Sequence, residues 1–179
     1  ILGLVGGIVM DIYSSGLSLL ATGVPVSRPV ATAIDGTIMT LGTIVVVFFA
    51  DSFLTPFTAF LTTLGVVIAA WAGVMLADIA LRHKEYDDVD LFSPAGRYGS
   101  VNWGAMASLV IASFVGWGLV VNTGASWLSW QGYLLGPLGL GGRQGSWAGA
   151  NLGILLALVI GFVGYWISSD KRVRRQESR

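Results

Sequence analysis

Long apolar runs separated by short polar breaks dominate the chain. A helix needs roughly 20 apolar residues to cross a hydrocarbon core about 30 Å thick, and five stretches supply them: 1–23, 30–50, 53–81, 103–121 and 147–168. A membrane β-barrel would show ten-residue alternations instead of such runs. The pattern predicts an all-α polytopic membrane protein with five transmembrane helices. The third stretch exceeds a straight crossing, so it is expected to tilt, or to break near Gly65 or near Ala69-Ala70-Trp71-Ala72-Gly73. The intervening segments 82–102 and 123–146, and the tail 169–179, are too short to fold as separate domains. No internal repeat of 20–50 residues and no low-complexity run is visible.

Composition points the same way. Hydrophobic residues make up 54% of the 179 positions and charged ones only 11%, against about 25% charged in a soluble domain, and the mean hydropathy is +0.75. Zero Cys excludes a disulfide scaffold. Ten basic residues balance ten acidic ones with no basic face, which disfavours nucleic-acid binding. The 25 glycines suit helices that approach closely in lipid. The chain starts at Ile1 inside an apolar run, without the basic n-region or cleavage site of a signal peptide. It is therefore expected to be the later part of a larger protein, with N-terminal spans of that protein as its partners.

Charge sets an expected orientation. If all five stretches cross, Arg28, Arg82, Lys84, Arg97, Lys171, Arg172, Arg174, Arg175 and Arg179 fall on one side and only Arg143 on the other. The positive-inside rule then makes 82–102 a cytoplasmic loop, 123–146 an extracellular loop and 169–179 a basic cytoplasmic tail. Trp127, Trp130, Tyr133 and Trp147 lie in or beside the outer loop, where interfacial aromatics belong. The protein is expected in the plasma or inner membrane, with the lipid bilayer as its surroundings.

Asp11 is the most informative side chain. A carboxylate at the middle of a span costs roughly 2.5–3.5 kcal/mol by insertion scales, so by default it faces a polar cavity or a partner. It could hydrogen-bond a solute, carry a proton, or do both; the plain alternative is an Asp bonded to a neighbouring helix. Ser14, Ser15 and Ser18 share its helical face at offsets of 3, 4 and 7. That stripe could line a wet path, or its hydroxyls could bond back to the carbonyl four residues earlier. Tyr13 points elsewhere and is read as packing. Asp35 is read as an interfacial pair with Arg28, Asp51 as solvated, and Asp78 as an ion pair with Arg82 at i+4. The run from His83 to Asp90 reads as a wet loop. Gly6 and Gly7 are expected to thin the first helix for a neighbour. With a single His and no Cys, metal chemistry and a catalytic dyad find little support. No phosphate-cradling loop is present. No cofactor is implied, and an intramembrane enzyme lacks a second acid, His or Cys at the depth of Asp11.

Three stretches carry a resemblance. D-I-Y-S-S-G-L-S (Asp11 to Ser18) with V-P-V-S-R-P (Val24 to Pro29) is similar to the end of the eighth span, and its turn, in the nucleobase:cation symporter family 1, the purine/cytosine permease-like transporters. F-L-T-T-L-G-V-V-I-A-A-W-A-G-V-M-L-A-D (Phe60 to Asp78) resembles the tenth span, and R-Y-G-S-V-N-W (Arg97 to Trp103) the start of the eleventh. The last span matches mainly by position. The resemblance implies that the five helices match spans 8–12 of a 12-span transporter built from two five-span inverted repeats. Substrate in such folds sits near the midplane while two bundles rock about it.

Two departures bear on mechanism. Family members often place Asn at the position of Asp11, and sodium-coupled members carry Ser or Thr hydroxyls where this chain has Val5 and Gly6. Neither replacement offers a side-chain oxygen for sodium. The resemblance therefore implies uptake of a purine, cytosine or related heterocycle such as allantoin or a hydantoin, with H+ favoured over Na+ as the coupling ion. Asp11, Ser14 and Ser15 are the candidate substrate and proton residues. The alternative is a non-transporting membrane module that only packs against partners.

Overall fold

The computed structural model describes residues 2–21, 23, 25–49, 52–93 and 96–178, with no β-strand among them. Asp51 and Arg179 lie outside the described residues. Six helices follow in order: α1 (Leu2–Ala21), α2 (Arg28–Phe49), α3 (Leu54–Leu81), the single turn α4 (Asp88–Leu91), α5 (Trp103–Gly118) and α6 (Leu152–Glu177). By length and apolar composition, residues Arg28–Phe48, Leu54–Leu81 and Leu152–Glu177 can each cross a membrane, and two shorter apolar helices cover Val5–Ala21 and Trp103–Gly118. This is a multi-pass membrane protein. Contacts divide it into two units, Ile1–Phe53 and Leu54–Arg179.

The first unit is a hairpin of α1 and α2. Gly23 turns the chain with a φ of +84° and donates its N–H to the Leu20 carbonyl at 3.0 Å. Pro29 stands in the first turn of α2, where its missing N–H costs nothing. The helices meet where Gly16 lies against Thr32 and Ala31 is fully buried; a Cβ at Gly16 would sit 3.1 Å from Thr32 Oγ1. Thr32, Thr37, Thr40 and Thr43 each donate to the carbonyl four residues earlier, at 2.7–2.9 Å. That back-bonding satisfies hydroxyls that lipid could not. No ion pair joins Arg28 to Asp35 among the described residues; seven positions along one helix separate them by two turns, beyond side-chain contact.

The second unit packs α3, α5 and α6 through small residues. A Cβ at Gly73 of α3 would meet the Leu158 carbonyl oxygen at 2.1 Å, one at Gly161 of α6 the Ala70 carbonyl at 2.4 Å, and one at Gly153 the Gly116 carbonyl of α5 at 2.0 Å. Backbones this close gain dispersion along their whole contact, which is what joins helices where lipid removes the hydrophobic incentive. Val66, Ala69, Ala70, Ala112, Val120 and Ala157 fill the space between them. The long α3 does not break at Gly65 or at 69–73. Its 28 residues form one helix of about 42 Å, because Gly73 serves the approach of α6 rather than a bend.

The ends of α5 and α6 differ from the apolar runs 103–121 and 147–168. α5 stops at Gly118 because the chain returns: Gly132 and Leu134 donate N–H to the Trp117 and Gly118 carbonyls, both at 2.9 Å, where a further helical turn would have donated. α6 starts late because residues 145–150 close two turns, and Asn151 takes a φ of +50°. It then continues through the basic tail to Glu177, with Ser169, Val173 and Gln176 buried and Arg174 paired to Asp170 at 2.8 Å.

At the end of this unit where α5 finishes, Thr63 organises a polar layer. Its carbonyl accepts from Trp117 Nε1 at 3.0 Å and its hydroxyl from Gln131 Nε2 at 3.1 Å, while Asn122 Nδ2 donates to the Ala59 carbonyl at 2.9 Å. Trp130 stacks on Tyr133 with ring centroids 6.5 Å apart and meets Trp117 edge-on at 5.7 Å. The other end, where α3 and α6 finish and α5 begins, carries the basic residues and is called the basic end below.

Candidate functional site

Asp11 occupies the middle of α1, exposed, with no hydrogen-bond or ion-pair partner among the described residues. Ser14, Ser15 and Ser18 are exposed beside it. The helix directs this stripe away from α2: Gly16, the contact residue, lies five positions on from Asp11, about 140° round the axis. Ser18 Oγ donates to the Ser14 carbonyl at 3.0 Å, the back-bond weighed above, so that hydroxyl is partly committed to its own helix. Tyr13 is exposed rather than packed. Positions 6 and 7 have nothing within 4 Å of an added Cβ, so the glycine face of α1 is open among the described residues.

Asp78 is the opposite kind of acid. Only 6% of the residue is exposed, and its carboxylate is filled from three directions. Oδ2 accepts from Arg82 Nε at 3.0 Å and from the Tyr86 hydroxyl; Oδ1 accepts from the Tyr165 hydroxyl of α6. The ion pair with Arg82 joins residues one helical turn apart. Arg82 in turn donates to Gln176 Oε1 at 3.2 Å and stands 4.1 Å above the Tyr86 ring. Partial burial, then the hydrogen bond to Asp78, pushes the Tyr86 phenol up to about 12.

The segment 83–90 is not simply a wet loop. Glu177 accepts the His83 and Lys84 N–H groups at 2.7 and 3.0 Å, Asp87 caps α4, and Arg97 pairs with Asp87 at 3.3 Å and with Asp90. Asn102 accepts from the Gly104 and Ala105 N–H groups and so starts α5.

The cleft beside Asp78 encloses about 240 Å³, bordered by Arg82, Tyr86, Tyr98, Tyr165 and Arg172. Small-molecule sites usually begin near 300 Å³, and every oxygen of Asp78 is already engaged. The arrangement clasps α3, the 82–102 segment and α6 together. Sequence reasoning found the Asp78–Arg82 pair but missed Tyr86, Tyr165 and Gln176. The available signal was Asp78 itself, since an acid inside an apolar helix requires donors from elsewhere. Among the described residues no three His, Asp or Glu side chains gather as metal ligands would.

A family model described as permease for cytosine/purines, uracil, thiamine, allantoin matches residues 1–136. The chain belongs to this permease family. Neither curated proteins nor solved structures give a significant match. The permease match takes in α1 with Asp11, α3 with Asp78, and α5, whereas α6 lies beyond it. The Asp78 clasp therefore joins a residue inside the permease match to Tyr165 and Gln176 outside it. Membership makes the protein a membrane permease for nucleobase-like solutes rather than an enzyme.

Proposed function

We propose that this chain supplies spans 8–12 of a 12-span secondary active transporter, built from two five-span inverted repeats. It imports a purine, cytosine or related heterocycle by proton symport. The reading rests on family membership across α1, together with one observation: Asp11 stands mid-helix on an exposed face without a partner among the described residues. A nucleobase presents ring NH and exocyclic amine groups. An ionised Asp11 can accept from them, and a protonated one can also donate, so a single carboxyl can couple solute to proton. Ser14 and Ser15 extend the polar surface along the same face. Val5 and Gly6 bring no side-chain oxygen to the position where sodium-coupled relatives place hydroxyls, which favours H+. The charge split supports a cytoplasmic basic end and C-terminus, and in this reading alternating access moves the site between the two sides.

Radiolabelled nucleobase uptake by the full-length protein, with and without sodium and across pH, tests this reading. Uptake is expected to rise as external pH falls and to ignore sodium. Asp11→Asn is expected to bind substrate yet lose the pH response. Strict sodium dependence with a flat pH profile defeats proton coupling. Normal uptake by Asp11→Ala defeats the role of Asp11.

A further inference from the structure

A second cleft opens at the basic end, beside the Asp78 clasp. It encloses about 320 Å³ and is lined by Arg97, Arg172, Arg175, Gln176 and the Gly96–Gly99 turn. The three cations differ in how far they are neutralised. Arg97 is offset by Asp87 and Asp90. Among the described residues Arg172 is held by uncharged acceptors only: the Tyr98 carbonyl at 2.6 Å, and the Val101 carbonyl and Asn102 Oδ1 at 3.5 Å. Its guanidinium is thus fixed in place with its charge intact. Arg175 has no carboxylate within ion-pair distance among the described residues. On α6 itself, Asp170 is paired with Arg174, and Glu177 accepts from the His83 and Lys84 N–H groups.

We infer that this cleft binds the phosphate of an anionic lipid headgroup. Guanidinium forks match phosphate oxygens geometrically, and basic pockets between spanning helices at the interface are where such headgroups lodge. The site sits at the end of three apolar helices. The segment before α5 and the first residue of α5 expose Val89, Phe92 and Trp103, apolar side chains suited to the acyl and glycerol level rather than to water. That apolar exposure favours a lipid headgroup over free phosphate.

Native mass spectrometry of the full-length protein, released from nanodiscs of mixed phosphatidylglycerol and phosphatidylcholine, tests the assignment. Phosphatidylglycerol is expected to be retained preferentially. Arg172→Gln with Arg175→Gln is expected to reduce that retention about 25-fold, from about fivefold per arginine. Lys171→Gln with Arg174→Gln removes the same charge from the same tail outside the cleft, where Arg174 is already paired with Asp170, and is expected to reduce retention far less than the cleft pair does. Should the first pair fail to fold, Arg175→Gln alone, at an exposed position, carries the fivefold expectation. Equal losses from both pairs would reveal diffuse attraction and overturn the site, as would no preference between the lipids. Displacement of the lipid by millimolar inorganic phosphate would assign the cleft to a soluble anion instead.

Discussion

The two units meet the problem of polar groups in an apolar helix in different ways. In the α3–α5–α6 bundle, Asp78 is buried and saturated by Arg82, Tyr86 and Tyr165, and Gly73, Gly153 and Gly161 lie against neighbouring backbone. In the α1–α2 hairpin, Asp11 has no partner and Gly6 and Gly7 face open space among the described residues. Identical residue types thus hold one region together and leave the other ready for contact. An acid whose acceptor sites are full does structural work, whereas one with all of them free is equipped for a solute or a proton. The contrast assigns different consequences to the same mutation at the two positions.

The largest difference is expected between the two aspartates. Asp78→Ala leaves the Arg82 guanidinium, only 12% exposed, without its carboxylate, and should lower stability by about 3 kcal/mol. Asp11→Ala removes no contact within its unit and should shift stability by less than about 0.5 kcal/mol while abolishing uptake. Thermal unfolding in detergent alongside uptake separates the two, and a large loss of stability from Asp11→Ala would erase the contrast. Smaller effects are expected from glycine. Gly153→Ala drives a methyl into the Gly116 carbonyl and should cost about 1–3 kcal/mol. Gly6→Ala should cost almost nothing in the same melt; equal costs would mean that the α1 face is also packed.

The smallest effect concerns pH. The Tyr86 phenol rises from its ordinary value near 10 to about 12 in the folded chain, because burial disfavours the phenolate and the neutral form donates to Asp78. Its contribution to stability is present in full below about pH 10 and is lost as pH climbs through the folded value of about 12. Phenolate absorbance, followed with the unfolding midpoint across that window, should show the loss. Tyr86→Phe should flatten that part of the profile, and identical profiles would remove Tyr86 from the clasp.

Hydropathy located every long helix, because burial in lipid acts on each residue independently and leaves its mark on composition. It misplaced the ends of α5 and α6, where termination depends on amides brought back from residues 132 and 134 and on the turns before Asn151. It also placed the basic tail outside the helix, although Ser169, Val173 and Gln176 are buried and prolong α6. Local spacing exposed the Asp78–Arg82 pair, since one turn of helix separates them. Tyr165 was hidden because it lies 87 positions away from Asp78, and only the packing of α6 on α3 brings it there. Asp11 stood out for the converse reason: a carboxyl group midway along an apolar run is legible from one sequence alone.

The unbroken course of α6 from Leu152 to Glu177 makes it a pointer. Pivoting at the Gly153 contact, a lean of ten degrees would carry Glu177 sideways by about 6 Å, given a rise of about 1.5 Å per residue. Because Glu177 holds the backbone after Leu81, the swing would be handed on to the segment that follows α3. Paired spin labels on thiols introduced near residues 152 and 175 would read such a swing, with no other Cys among these 179 residues.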